Sequence, residues 1–292
     1  HSSAGAHRPR FRAAALGADR SMTTNLGHQH PTARAYLVRA NNPSPMTLEG
    51  TNTWVLVEPG SDQAIVVDPG PDDGWHRDAI MAAVEAASAK QVALILLTHG
   101  HADHAEGAPA LGERAAAPIR AIATAHCSPG QQPLAGGEQL RIGGLHLDVV
   151  ATPGHTADSA CFVISAGAAM LTGDTILGSG STVVARPDGG LADYLATLHR
   201  LAALVNERQL LVVLPGHGPV VDDPAAKIDA YLQHREERLQ QVRTAAITGG
   251  TVDEVLQAVY GDVVPELQFA ARWSLLAQLD YLRDEGVSVP VE

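Results

Sequence analysis

The sequence predicts a layered α/β fold, and three observations predict it. Short apolar runs bounded by turn residues recur as far as residue 220, segments with helical spacing lie between them, and after about residue 226 the pattern becomes almost continuously helical. At 292 residues the chain can bury one large core, or one large and one small.

Taken in order, "WVLV" (54–57) and "AIVV" (64–67) flank "EPGSDQ" and read as a hairpin running into Asp68-Pro69-Gly70. A helix follows, with Ile80, Val84 and Ala87 on one face. "VALILL" (92–97), "LHLDVV" (145–150), "CFVI" (161–164), "AAMLT" (168–172) and "LLVVLP" (210–215) read as further strands, and "LADYLATLHRLAALV" (191–205) as a helix. The helical stretch opens with "AAKIDAYLQHREERLQQVRTAA". "TVDE" (251–254) has the spacing of a capping box, Thr251 with Glu254. The last helix carries a stripe of Leu267, Ala271, Leu275, Leu279 and Leu282, closes at Gly286, and leaves "VSVPV" as a strand. Three parts are therefore expected: an N-terminal extension over residues 1–30, its first 21 residues reading as an expression remnant before Met22; a main domain over 31–226; and a small domain over 227–292.

Composition narrows the function. A formal charge of −12 argues against a broad surface for nucleic-acid phosphates. No segment approaches the 18 or so uninterrupted apolar residues of a membrane helix, so no membrane partner is expected. Cys127 and Cys161 are the only cysteines, which excludes a disulfide framework and a thiolate-rich metal site and fits a cytoplasmic protein.

The chemistry is concentrated in "LTHGHADHAEG" (97–107), which brings His99, His101, Asp103 and His104 together directly after a strand. His155, Asp174 and His217 each follow a strand in the same way, in "ATPGHT", "GDT" and "GHG". Four strand ends would thus present seven ligand-type groups at one edge of a sheet, where α/β proteins tend to build sites. Neutral imidazole and ionised carboxylate suit zinc and similar first-row divalent ions. Seven groups exceed the needs of one tetrahedral ion and fit two ions sharing a bridge. No phosphate-binding GxxxxGK[ST] loop and no G-x-S-x-G serine elbow competes with this reading.

"THGHADH", with "TPGHT", "TGDT" and "PGHG", resembles the metallo-β-lactamase-fold superfamily over about residues 36–226. The resemblance implies an αββα sandwich with a dinuclear zinc site between two sheets. It implies that His99, His101 and His155 hold the first ion, that Asp103, His104 and His217 hold the second, and that Asp174 bridges them. It further implies that Asp68 orients a histidine ligand from behind. "NPSPMTLEGTNTW", "GDTILGSGSTVV" and "PGHGPVVDDPAAKIDAYLQHREERLQQV" are similar to the subgroup containing the animal endoribonuclease called β-lactamase-like protein 2. Members of that subgroup carry a small winged-helix-like C-terminal domain.

The expected activity is hydrolysis by a hydroxide generated between two ions, with Asp103 aiming the nucleophile. Thr47, Asn52, Ser181 and Thr182 stand in loops, where such residues either line the substrate pocket or equally well form turns. Single-stranded RNA is the expected substrate. Arg235, Arg238 and Arg243 on one helix offer it a local basic strip, diluted by Glu236 and Glu237. A thioester or other activated ester, or a β-lactam, is the alternative on the same metal site. DNA binding through the C-terminal domain is the reading from another class. Arg272 and Arg283 face Glu266, Asp280, Asp284 and Glu285 there, a poor balance for phosphate contact. A homodimer is admissible.

Overall fold

The computed structural model describes residues 29–248 and 250–291, so the expected N-terminal extension lies outside the described residues up to residue 28. Two sheets are stacked face to face. The first runs in the order β1 (Gln29–Thr32), β2 (Ala35–Arg39), β3 (Asn52–Val57), β4 (Gln63–Val67), β5 (Gln91–Leu96) and β6 (Ile119–Arg120). The second contains β7 (Gln139–Ile142), β8 (Leu145–Ala151), β9 (Ala160–Ile164), β10 (Ala169–Gly173) and β11 (Val212–Pro215), in that spatial order. On the outer face of the first sheet lie α1 (Gly74–Ala86) and α3 (Ala108–Ala115), with the single turn α2 (Ala102–Ala105) between them in the chain. Against the second pack α4 (Leu191–Arg208) and the start of α5 (Pro224–Ile247). The expected hairpin forms, with Trp54 opposite Val67 and Val57 opposite Ala64.

Alternation along β3 explains the layering. Trp54 and Leu56 enter the core between the sheets, where they meet Phe162, Leu171 and Leu214, while Val55 and Val57 face Ile80 and Val84 of α1. Successive side chains of a strand point to opposite faces, so a strand covered on both sides reads as an unbroken apolar run. Burial of each such side chain contributes about 1.5–3 kcal/mol. Strands β1, β2, β6 and β7 escape a sequence reading because they are short and lie at or near the sheet edges.

The C-terminal helices are α5, α6 (Val252–Tyr260) and α7 (Gln268–Asp284), with a 3-10 turn at Pro265–Leu267. Asp223 caps α5, its carboxylate accepting from the Ala226 amide at 3.0 Å, and Pro224 fills the first helical position, which needs no donor. Helix α5 serves both cores: Ile228 and Tyr231 pack with the second sheet, and Leu239 and Val242 pack with Val255, Leu275 and Leu279. The Thr251 capping box forms as the spacing predicts.

Two expectations need correction. "VSVPV" is not a strand: residues 287–291 have no regular structure, Pro290 has no N–H to give, and among the described residues the region after 226 offers no strand for pairing. The ligand-bearing strand ends do not share one sheet edge either, because β5 belongs to the first sheet while β8, β10 and β11 belong to the second.

Candidate metal centre

Strand direction makes those ends converge. β4 and β5 are parallel, so Asp68 and His99 emerge on the same side of the first sheet. β8 and β10 are each antiparallel to β9, and β11 is parallel to β10, so His155, Asp174 and His217 emerge together from the second. His101, Asp103 and His104 follow β5 on the turn entering α2 and within it. Close approach of backbone to site requires glycine at two positions. Gly154 has φ of 143°, and an added Cβ would press on the backbone of Tyr194. At Gly216 a Cβ would fall 2.6 Å from Asp174 Oδ1 and 2.7 Å from His104 Cε1.

All seven expected groups meet. His101 Nδ1 lies 3.0 Å from His99 Nε2 and 3.2 Å from His155 Nε2. Beside this trio, His104 Nε2 and His217 Nε2 are 3.2 Å apart, and Asp103 Oδ2 lies 3.4 and 3.1 Å from them respectively. Asp174 stands between the trios. Its Oδ1 is 3.3 Å from His104 Nε2 and 3.4 Å from His217 Nε2, whereas its Oδ2 faces His155 Nε2 at 3.8 Å.

The outward ring nitrogens determine which inner ones carry lone pairs. His155 Nδ1 lies 2.7 Å from the Val183 carbonyl and His217 Nδ1 lies 3.3 Å from the Gly50 carbonyl, and a carbonyl only accepts. Thr98 Oγ1 donates to Asp68 Oδ2 at 2.7 Å, so at 3.0 Å it receives the proton of His99 Nδ1. Asp68 Oδ2 also accepts from His104 Nδ1 at 2.9 Å, the orienting contact expected of that aspartate. Four imidazoles, when neutral, thus aim a bare Nε2 inward.

Asp68 is itself held from behind. Its backbone adopts φ of 52°, its carbonyl accepts from Thr53 Oγ1 at 2.6 Å, and Thr53 in turn accepts from His76 Nε2 at 2.8 Å. Burial pushes the His76 imidazole down to about 4, against the pull of Asp73. Thr53, His76 and Thr98 were not readable as site residues, since nothing in their local pattern separates them from packing.

Charge divides the cluster. Burial holds His99 well below the ordinary histidine range, and lowers His155 also. At His104 burial acts in the same direction, but Asp174, Asp68 and Asp103 outweigh it and carry the ring well above that range. At His217 burial is outweighed chiefly by Asp174, which lifts the ring to about 9. Asp174 stays well below the usual carboxylate range despite burial, because His104 and His217 face it. Its Oδ1 is nevertheless buried with no hydrogen-bond partner. An orphaned carboxylate oxygen among inward-facing imidazole nitrogens fits divalent cations, and His99/His101/His155 and Asp103/His104/His217 each bring three ligand atoms within 4.8 Å of one another.

Two cavities open onto the cluster. One, of about 480 Å³, is lined by Thr47, His101, Asp103, His155, His217 and Trp273 among others. The other, of about 370 Å³, shares His155 and Asp174 and extends past Ser181 and Thr182 to Arg235, Val263 and Leu267. Thr47, Ser181 and Thr182 therefore line the cavities. Thr182 Oγ1 also lies 3.2 Å from His155 Nδ1. Asn52 does not face them: it is fully buried, and its amide donates to the carbonyls of Pro215 and Gly218 at 3.0 and 2.8 Å, fastening the loop that carries His217. The contribution of Trp273, Val263 and Leu267 was not legible, because nothing in their local pattern separates them from core packing.

Comparison with known proteins matches this picture. The profile of the metallo-β-lactamase superfamily matches residues 46–217. The chain is 37% identical over 251 residues to the lactamase-like protein vrtG of Penicillium aethiopicum, covering 82% of this chain and 78% of that protein. It is 34% identical over 247 residues to an atrochrysone carboxyl ACP thioesterase of Aspergillus chevalieri, covering 82% and 76%. Among solved structures, a β-lactamase domain protein from Burkholderia ambifaria superposes with a TM-score of 0.75 at 21% identity over 91% of each chain, a likeness of fold.

Proposed function

The chain belongs to the metallo-β-lactamase superfamily and is a hydrolase of that fold, and from this we propose that it is a thioesterase cleaving a bulky, largely apolar acyl thioester at a dinuclear metal centre. The observation that carries the reading is the wall of the site. Met46, Leu48, Leu177, Val183, Val263, Leu267 and Trp273 surround the space beside His155 and Asp174, which suits an acyl group better than a polyanionic strand. The thioesterase name carried by relatives supports the same choice, and the expectation of single-stranded RNA gives way to it. Nothing beyond the sequence likeness supports the endoribonuclease subgroup. We assign residues 31–226 to the catalytic unit and residues 227–292 to a helical unit that walls its site.

In this reading His99, His101 and His155 would hold one ion and Asp103, His104 and His217 the other, with Asp174 facing both groups. Two divalent ions there, zinc being the best match to the ligands, would supply Lewis acidity and lower the pKa of water toward neutrality. The residues of the chain do the rest. Asp68, Thr98, Val183 and Gly50 hold the outward protons of four imidazoles, so the rings cannot turn. Asp103, whose side chain is 30% exposed, can accept a hydrogen bond from the attacking water and aim it at the thioester carbonyl. The thiolate leaves without an acid, its conjugate thiol having a pKa of about 8.5.

The test compares a metal-loaded sample on a benzoyl thioester and on a labelled single-stranded RNA, each with and without chelator. Chelator-sensitive thioester hydrolysis without RNA cleavage is expected. The reverse pattern would overturn the thioesterase reading and restore the ribonuclease.

A further inference from the structure

The smaller cavity contains a cation that the fold does not neutralise. Arg235 of α5 is only 7% exposed, and it lines the cavity together with His155 and Asp174. Its Nη2 donates to the Thr182 carbonyl, and its guanidinium lies 5.0 Å over the Tyr194 ring. Its Nε has no hydrogen-bond partner, and among the described residues no carboxylate comes within ion-pair distance of it. Arginine cannot shed its proton to escape burial, so a buried guanidinium is normally matched by an anion. The Thr182 carbonyl and the Tyr194 side chain engage only part of its five donors.

The neighbours point the same way. Arg238 lines the same cavity, stacked 4.8 Å over Tyr260 and bonded to the Val259 carbonyl and the Gln241 side chain, so its charge is also unmatched by a carboxylate among the described residues. His234 and Ser181 complete this polar end, facing each other at 3.4 Å. The rest of the lining is largely apolar: Leu48, Leu177, Val263, Leu267, Ala270 and Ala271. A cavity with a largely apolar lining, metal ligands in one part of its wall and a buried guanidinium in another, is shaped for an acyl group that carries an anion.

We propose that Arg235 determines acyl specificity: its guanidinium pairs with a carboxylate carried on the acyl portion of the substrate while the reacting carbonyl lies against His155 and Asp174. This rests on the thioesterase reading. Arg238 adds positive potential to the same end. The pairing is a binding contact and involves no bond change at Arg235.

The test uses two thioesters of equal size, 4-carboxybenzoyl and 4-carbamoylbenzoyl, differing in charge. In the metal-loaded protein kcat/KM should favour the carboxylate by tenfold to a hundredfold, on the order expected of a charge-assisted contact in a buried site. Arg235→Gln should bring the ratio to within about threefold of unity, and Arg235→Lys should recover part of it. Because the ratio is taken within each variant, a general loss from loosening the Thr182 loop cancels. An unchanged ratio in Arg235→Gln would assign Arg235 to holding that loop and overturn the proposal.

A second measurement needs neither the variant nor turnover. In zinc-loaded protein, the Arg235 Nε–Hε resonance, identified by its contact with the Tyr194 ring, should move saturably with benzoate and not with benzyl alcohol. No movement with benzoate overturns the proposal. Movement with uridine monophosphate alone overturns the carboxylate assignment in favour of a phosphate ester. Movement with benzoate in a protein that hydrolyses neither thioester would sink the thioesterase reading and leave the anion site standing.

Discussion

Asp174 and His76 show how differently two buried polar residues are used. Asp174 keeps one oxygen without a donor in a ring of imidazole nitrogens, a cost that a bridging cation would offset. His76 is fully accommodated, donating to Thr53 and remaining neutral. Its pKa sits at about 4 when folded against about 6.5 when unfolded, so the unfolded chain binds more protons between those values and stability rises with pH across that window. The contribution is present in full above pH 6.5 and lost as pH falls through 4, roughly 3 kcal/mol in all. His76→Gln should remove that part of the slope in denaturant midpoints measured from pH 4 to 6.5, and an unaltered slope would show that His76 is not buried neutral. The seven ligand-type residues were legible because chemistry forces rare residue types into fixed places after strands. The Thr53–His76 support was not, because a threonine in a strand and a histidine in a helix carry no such signature.

At the scale of elements, the sequence exposed what has periodicity and hid what depends on partners. α4 and α5 and the central strands follow from apolar spacing, and α6 announces itself through Thr251 and Glu254, whose reciprocal bonds form. "VSVPV" has the composition of a strand but no neighbouring strand to pair with, and its Val287 and Val289 settle half-buried against the helical core instead. Replacing Thr251 with Ala should cost about 1 kcal/mol of stability through loss of the cap. Because α6 touches the cavity only through Tyr260 at its end, hydrolysis by the folded variant should stay within twofold of wild type. A thermal melt and a rate assay on the same sample check both halves.

For the whole molecule, the two-sheet sandwich places the cluster and the C-terminal helices close it. Helix α5 links the two cores, and α7 brings Trp273 to the mouth of the larger cavity, 47% exposed and edge-on to Phe269 at 5.2 Å. An aromatic ring half open to solvent at a cavity mouth is placed to meet the acyl group of the proposed substrate. Trp273→Ala should raise KM for a benzoyl thioester by about tenfold and change that for an acetyl thioester by less than threefold, on the scale of one lost aromatic contact. The net charge of −12 is a property of the whole surface, and it coexists with the basic end of one cavity at Arg235 and Arg238. A charge summed over the chain therefore says nothing about one pocket.

Asp174 would join two ion sites into one hydrolytic centre, and metal content and thioester turnover of Asp174→Ala beside the wild type test that role. Two ions per wild-type chain, one or fewer in the variant, and turnover reduced at least about a thousandfold are expected. A variant that retains two ions and hydrolyses the thioester at close to the wild-type rate would contradict it.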